Sequence, residues 1–200
     1  MDTWILVLLI IVVLGIIFVC WLVSIYNQLV RLKNQFQNAF AQIEVQLKRR
    51  HDLIPNLVEL VKGAMAHERG TLDDVISART RAVNGLQQAA ANPGDPAAIQ
   101  ELGAAESLLG GALGRLFALS ENYPDLKANQ NVMQVQEELT TTENKVGFSR
   151  QAYNDAVTSY NTYKQTFPPV LVAGAFGHSK DASLLDFDDD EINEAPKISF

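Results

Sequence analysis

Apolar residues fall along this chain in three regimes: an unbroken block, a long helical periodicity, and a sparse acidic end. The block runs from Trp4 to Ile25, WILVLLIIVVLGIIFVCWLVSI, with only Gly15 and Ser24 outside the hydrophobic class. No charge occurs between Asp2 and Arg31. As a helix these 22 residues span about 33 Å, enough to cross the hydrocarbon core. Trp4 lies at one end, and Trp21 and Tyr26 lie toward the other, where interfacial aromatics anchor a span. Residues 1–25 are therefore expected to form a single transmembrane anchor. A cleaved signal peptide needs a basic n-region and a small-x-small cleavage site. Here the n-region is Met-Asp-Thr, and Phe18-Val19 before Cys20 make no lipobox.

Beyond the block, Ile25, Leu29, Leu32, Phe36, Phe40, Ile43 and Leu47 recur at steps of three or four. Ile54, Leu57, Val58, Val61 and Met65 carry the same helical period onward. Asp52, with Pro55 three residues on, reads as the cap of a new helix, so a kink is expected near residues 50–52. Gly70 followed by TLDD reads as a stop and a capped restart. A second helix then runs to about Ala91, the loop NPGDP (92–96) ends it, and a third occupies about 97–122 before Pro124. Val132, Val135, Leu139, Thr142, Val146, Ser149, Tyr153, Ala156, Tyr160, Tyr163 and Phe167 alternate in steps of three and four, a heptad seam stopped by Pro168-Pro169. No window shows sustained strand alternation. The expected fold is all-α: an N-terminal transmembrane helix, a long antiparallel four-helix bundle over 26–168, and a disordered acidic tail.

Helix lengths add a further expectation. The first and fourth stretches would reach about 65 and 60 Å, but the second and third only about 32 and 39 Å. Part of the long pair would then stand as a two-helix stalk lacking cover within one chain, which predicts homo-oligomers. The fourth helix returns the chain toward the membrane. The apolar segment PVLVAGAFG (169–177) could therefore dip into the interface or lie as a short element on the bundle.

Composition narrows the function. The 200 residues carry a net charge of −7, which argues against general nucleic-acid binding. The acidity belongs to residues 178–200, with seven acids against two bases and the run DFDDDE, read as a solvated tail. Residues 26–177 are nearly neutral. One cysteine excludes a disulfide framework within the chain and a cysteine-rich zinc site. Arg31 and Lys33 flank the span on its long side and no cation on its short side, which predicts a cytoplasmic bundle with the N-terminus outside.

Candidate chemistry is thin. His51, His67 and His178 form neither HxH nor HExxH, and each is expected to be a polar helix-end residue, with no metal or cofactor bound. Gly110, Gly111 and Gly114 lack the Lys-Ser/Thr of a phosphate loop. Gly103, Ser107, Gly111 and Gly114 instead read as a small-residue stripe that another helix could approach. The basic cluster Lys48, Arg49 and Arg50 is either a solvated helix end or a site for an acidic partner, such as the tail of a neighbouring copy. Glu143 and Asn144 are expected to make hydrogen bonds between helices. No GxSxG occurs, and no catalytic residue is assigned.

The blocks YNQLVRLKN (26–34), QIEVQLKRRHDLIPNLVELVKG (42–63), HERGTLDDV (67–75), YPDLKANQN (123–131) and ELTTTENKVGFSRQAYNDAVTSYN (138–161) resemble the LemA family. The resemblance covers the chain to about Gly177 and includes APK (195–197), whereas HSKDASLLDFD replaces the aromatic-rich ending expected of that family. It implies a bacterial, membrane-anchored four-helix bundle, with relatives that include a protein tied to building magnetosome membranes, and no catalytic residues to carry over. Three functions follow in order: a non-enzymatic scaffold that self-associates in the inner membrane; an accessory subunit of a membrane-remodelling or quality-control complex, packed on an unknown membrane protein; and an uncharacterised hydrolase.

Overall fold

A computed structural model describes residues 3–187 of the chain. Its elements are α1 (Thr3–Lys62), α2 (Arg69–Ala91), α3 (Pro96–Ser120), the single turn α4 (Pro124–Lys127) and α5 (Gln130–Gln165), followed by a 3-10 turn at Pro169–Leu171. No strand occurs among the described residues. Helices α1, α2, α3 and α5 form the bundle, with α1 against α5 and α2 against α3 as the most extensive pairs.

Residues 3–24 of α1 leave the bundle, with their apolar side chains exposed except for the half-buried Leu22, from Trp4 at 82% to Val23 at 50%. From Ile25 onward the same helix turns one stripe inward, and all seven positions spaced three or four apart from Ile25 to Leu47 are buried. One helix thus carries both a segment long and apolar enough to cross a membrane and the first wall of the core. Helix α3 is also long and apolar enough to cross a membrane, but 44% of its most apolar window is buried within the bundle.

The expected break at Asp52 does not occur: α1 runs through Pro55 to Lys62. Pro55 lacks the N–H that would take the carbonyl of His51, four residues back. Arg79 Nε on α2 takes it instead, at 2.7 Å. The turn comes later, at Gly63, with Met65 fully buried as its plug. Gly70, expected as a stop, lies inside α2. The loop at 92–96 behaves as its sequence indicates. Asp95 Oδ2 accepts the Ala98 N–H and caps α3 with Pro96 in its first turn. Gly94 holds φ +97 with its Cα against the Phe36 ring, a conformation and a space that exclude a side chain.

Two apolar clusters stack along the bundle. The membrane-proximal cluster joins Ile25 through Leu47 to Leu86, Ile99, Leu102, Val146, Tyr153 and Tyr160. The distal one joins Ile54 through Met65 to Leu72, Val75, Leu109, Leu116, Val132 and Leu139. The α5 heptad is buried at most seam positions, but the helix ends at Gln165 and Phe167 is 79% exposed.

The uncovered stalk is also overturned. Ile25, Leu29 and Leu32 are buried within one chain, in a cluster completed by Val172, Ala173 and Phe176 from the segment after α5. Folding back of that segment supplies the cover that α2 and α3 are too short to give.

Candidate functional site

Three features concentrate the polar and interfacial chemistry of the fold. The first is the point where α1 leaves the bundle. Trp4 is exposed and Trp21 partly so, with the Trp21 ring 5.8 Å from that of Phe18. Tyr26, 45% exposed, meets the Phe176 ring edge-on at 5.4 Å. Tyr26 is therefore a packing residue of the bundle as well as an aromatic at the end of the span.

The second feature is a polar belt between the two apolar clusters, which the sequence presents only as KRRHD. The cluster splits on folding. Lys48 and Arg49 are exposed, whereas Arg50 and His51 face inward and are buried. The reading of these cations as a solvated helix end is thereby corrected, because α1 continues for three more turns. His51 Nε2 lies 2.7 Å from Oε1 of Glu106 on α3, itself 2% exposed. Arg50 Nη1 lies 3.5 Å from Glu106 Oε2, and Nη2 lies 3.8 Å from Glu143 on α5. With Arg79 on the His51 carbonyl, the belt touches all four helices. A carboxylate is stable this deep only because two cationic or hydrogen-bonding groups face it. Glu143 thus makes a long ion pair between helices in place of the expected hydrogen bond, and Asn144 is exposed.

The third feature was hidden by composition. Residues 178–187, expected within the solvated tail, form a strap along α5, with Ala182 and Leu185 buried. Asn161 accepts the Ala182 N–H at 3.0 Å and donates to the Ala182 carbonyl at 2.8 Å. Asn154, seven residues earlier, does the same for Leu185, at 2.9 and 3.0 Å. Two amides two helical turns apart thus act as the missing strand for an extended segment. Tyr153 Oη donates to the Ser183 carbonyl at 2.8 Å, and the Ser183 N–H to the Gly94 carbonyl at 3.0 Å. Burial raises the Tyr153 phenol well above its ordinary value, keeping that donor protonated.

Of the small-residue stripe, Gly103 alone receives this strap, and it receives no helix. A Cβ on Gly103 would sit 2.3 Å from the Asp186 carbonyl oxygen, whereas Gly111 and Gly114 face open space. The close approach between helices falls at Gly85, whose Cβ would meet Leu102 Cα at 3.3 Å. The signal for the strap was present in the repeated Tyr-Asn pairs at 153–154 and 160–161, one heptad apart.

His178 opens the strap and is buried, not a polar helix end. Its Nδ1 lies 2.9 Å from Tyr160 Oη. Burial, then Lys33 and Lys164, lower its pKa from 6.5, so the neutral ring accepts the Tyr160 proton. Lys164 pairs with Asp181 of the strap, and Gln165 Nε2 donates to the same carboxylate. Of the three histidines, His67 alone is exposed.

A family model described as the LemA family matches residues 39–200, four-fifths of the chain. The chain belongs to the LemA family. The match includes residues 178–200, where the sequence departs from the ending expected of the family. Two relatives are named magnetosome protein MamQ. One from Paramagnetospirillum magneticum is 28% identical over 77% of this chain and 62% of its own length. One from Magnetospirillum gryphiswaldense is 26% identical over 76% of this chain and 61% of its own. Protein LemA of Metamycoplasma hominis is 29% identical over 70% and 60%. The chain spans about three-fifths of the length of these relatives.

Proposed function

We propose that this LemA-family chain is a non-enzymatic scaffold anchored in the bacterial inner membrane, which presents its bundle at the membrane surface and self-associates there. The observation that carries the reading is the continuity of α1. A single 60-residue helix passes from the exposed apolar block into the core without a break. That construction transmits no hinge between membrane and bundle, as suits a fixed platform. The buried titratable groups support the same reading, since His51, Glu106 and His178 are engaged in holding helices and strap together. Arg31 and Lys33, exposed within three turns of the block, support a cytoplasmic bundle and an external N-terminus. Self-association no longer draws on an uncovered stalk. Its support is the set of apolar side chains left on the outer faces of the helices, Val45, Ile76, Leu108, Met133 and Phe148, the last 75% exposed.

A second reading, an accessory subunit of a membrane-remodelling complex, is supported by the likeness to proteins named for the magnetosome. Native mass spectrometry of the full chain extracted from its membrane in polymer-bounded lipid discs separates the two. Masses at integer multiples of the chain support the scaffold. A single copy bound to one foreign membrane protein supports the accessory subunit and overturns self-association.

A further inference from the structure

The turn after α5 leaves apolar side chains unburied where the bundle meets the end of the span. Pro169 and Ala173 are buried on the core, with Val172 and Phe176 half-buried beside them. On the opposite side Phe167, Val170 and Leu171 are 79, 52 and 71% exposed. Phe167, Val170 and Leu171 are close in sequence and exposed together, and clustered exposed apolar side chains mark interaction surfaces where single ones do not.

Its height above the membrane follows from the contacts of α1 and α5. Tyr153 packs on Phe40 and Phe36, and Tyr160 on Phe36, which fixes the antiparallel register. Continuing that register brings the end of α5, Gln165, level with about residue 30 of α1. The Tyr26–Phe176 ring contact holds the following segment to the first residue past the apolar block. The exposed turn thus lies within about 8 Å of the point where α1 leaves the hydrocarbon. That distance is the thickness of one interfacial layer of a bilayer. Arg31, Lys33 and Lys180 are exposed near the same end, where cations meet lipid phosphates.

We infer that Phe167, Val170 and Leu171 insert into the interfacial layer of the membrane that α1 spans, giving the bundle a second point of attachment. Lipid is the occupant because the patch is continuous in height with the end of the span. A helix alone leaves the bundle free to rotate and tilt about one axis; two contacts fix which face of the bundle meets the surface. The inference rests on the reading of α1 as the span, and the test separates the two.

The full chain carrying Cys20→Ser and Leu171→Cys is labelled at residue 171 with an environment-sensitive fluorophore and reconstituted at high lipid-to-protein ratio. The vesicles combine phosphatidylcholine with phosphatidylglycerol, with nitroxides on the headgroup or high on the acyl chain. A second preparation carries the probe at Val170→Cys. A third carries it at Ala118→Cys, exposed on α3 in the distal half of the bundle. The native Cys20, labelled in the otherwise unaltered chain, reports the span itself. Insertion predicts blue-shifted emission at 171 and 170, with lipid nitroxides quenching both several-fold more than at 118. Emission and quenching at 171 and 170 equal to those at 118, while Cys20 is quenched by lipid, overturns the inference and leaves the anchor standing. Blue-shifted emission at 171 without lipid quenching places the turn against protein, and also overturns it. Loss of lipid quenching at Cys20 overturns the anchor itself.

Discussion

Arg79 donates its Nε–H to the carbonyl of His51 at 2.7 Å, and so replaces the hydrogen bond that Pro55 removes near the C-terminal end of a 60-residue helix. A helix on one side of the core thereby repairs a defect in a helix on the other. The proline fixes a partner for α2 that no regular helix would offer, because a carbonyl with its own helical N–H has no need of one.

Arg79→Ala should therefore cost about 1–3 kcal/mol, the penalty of an unsatisfied buried acceptor. Pro55→Ala restores the helical bond, and in that background the same arginine change should cost distinctly less. Thermal or denaturant unfolding of the four proteins in one detergent measures the coupling. Equal costs in both backgrounds would mean that the arginine acts only by packing.

The charged belt predicts an asymmetry within KRR. Arg50→Ala strips a buried partner from Glu106 and should destabilise by about 3–5 kcal/mol. Lys48→Ala and Arg49→Ala, on the exposed side of the same helix, should each stay within about 0.5 kcal/mol. Chemical unfolding of the three variants tests this directly. Comparable losses at all three would contradict the division into inward and outward cations.

The strap makes a different demand. Asn154→Ala with Asn161→Ala removes four hydrogen bonds to Ala182 and Leu185, each worth about 1 kcal/mol net. Amide exchange over residues 179–187 should then rise sharply while α1 stays protected. Gly103→Ala should have the same local effect, because its methyl would overlap the Asp186 carbonyl, whereas Gly111→Ala meets nothing and should be neutral or slightly stabilising. Unchanged exchange in both strap variants would refute the assignment.

Acid should loosen the same segment. His178 is held neutral among Tyr160, Lys33, Lys164 and the Lys164-paired Asp181, with its pKa lowered from 6.5. The unfolded chain therefore binds a proton at a higher pH than the folded one. The contribution is fully present above about pH 6.5 and lost as pH falls from there through the lowered folded value. Strap exchange, corrected for its intrinsic pH dependence, should rise between pH 7 and 5. In His178→Gln that rise should shrink; an identical rise would assign it to other groups.

Much of the fold was legible because helical periodicity is written in side chains. Leu29, Phe36, Phe40, Leu47, Leu57 and Tyr153 were all placed inside by spacing alone, and all are buried. Pro55 misled because local chemistry opposes a proline inside a helix, and the compensating Arg79 stands 28 residues from the carbonyl it serves. The strap was missed for a related reason. An extended segment held through its backbone shows no helical period, and in the sequence it runs straight into the acidic run 188–191 and reads as one solvated tail with it. The asparagines that bind it sit on α5, where a single sequence shows them only as polar positions beside a tyrosine seam. Arg50 and His51 were hidden likewise, since burial of a charge depends on a partner, Glu106, supplied by another helix.

Self-association of this chain in its membrane can be measured by crosslinking in intact membranes with equal amounts of isotopically heavy and light protein. A scaffold built from copies of this chain should give abundant heavy–light links between bundles, centred on the outer apolar residues Val45 and Phe148, with no foreign protein captured in equal amount. Heavy–heavy and light–light links alone, alongside a dominant foreign membrane protein, would contradict it and leave an accessory subunit in its place.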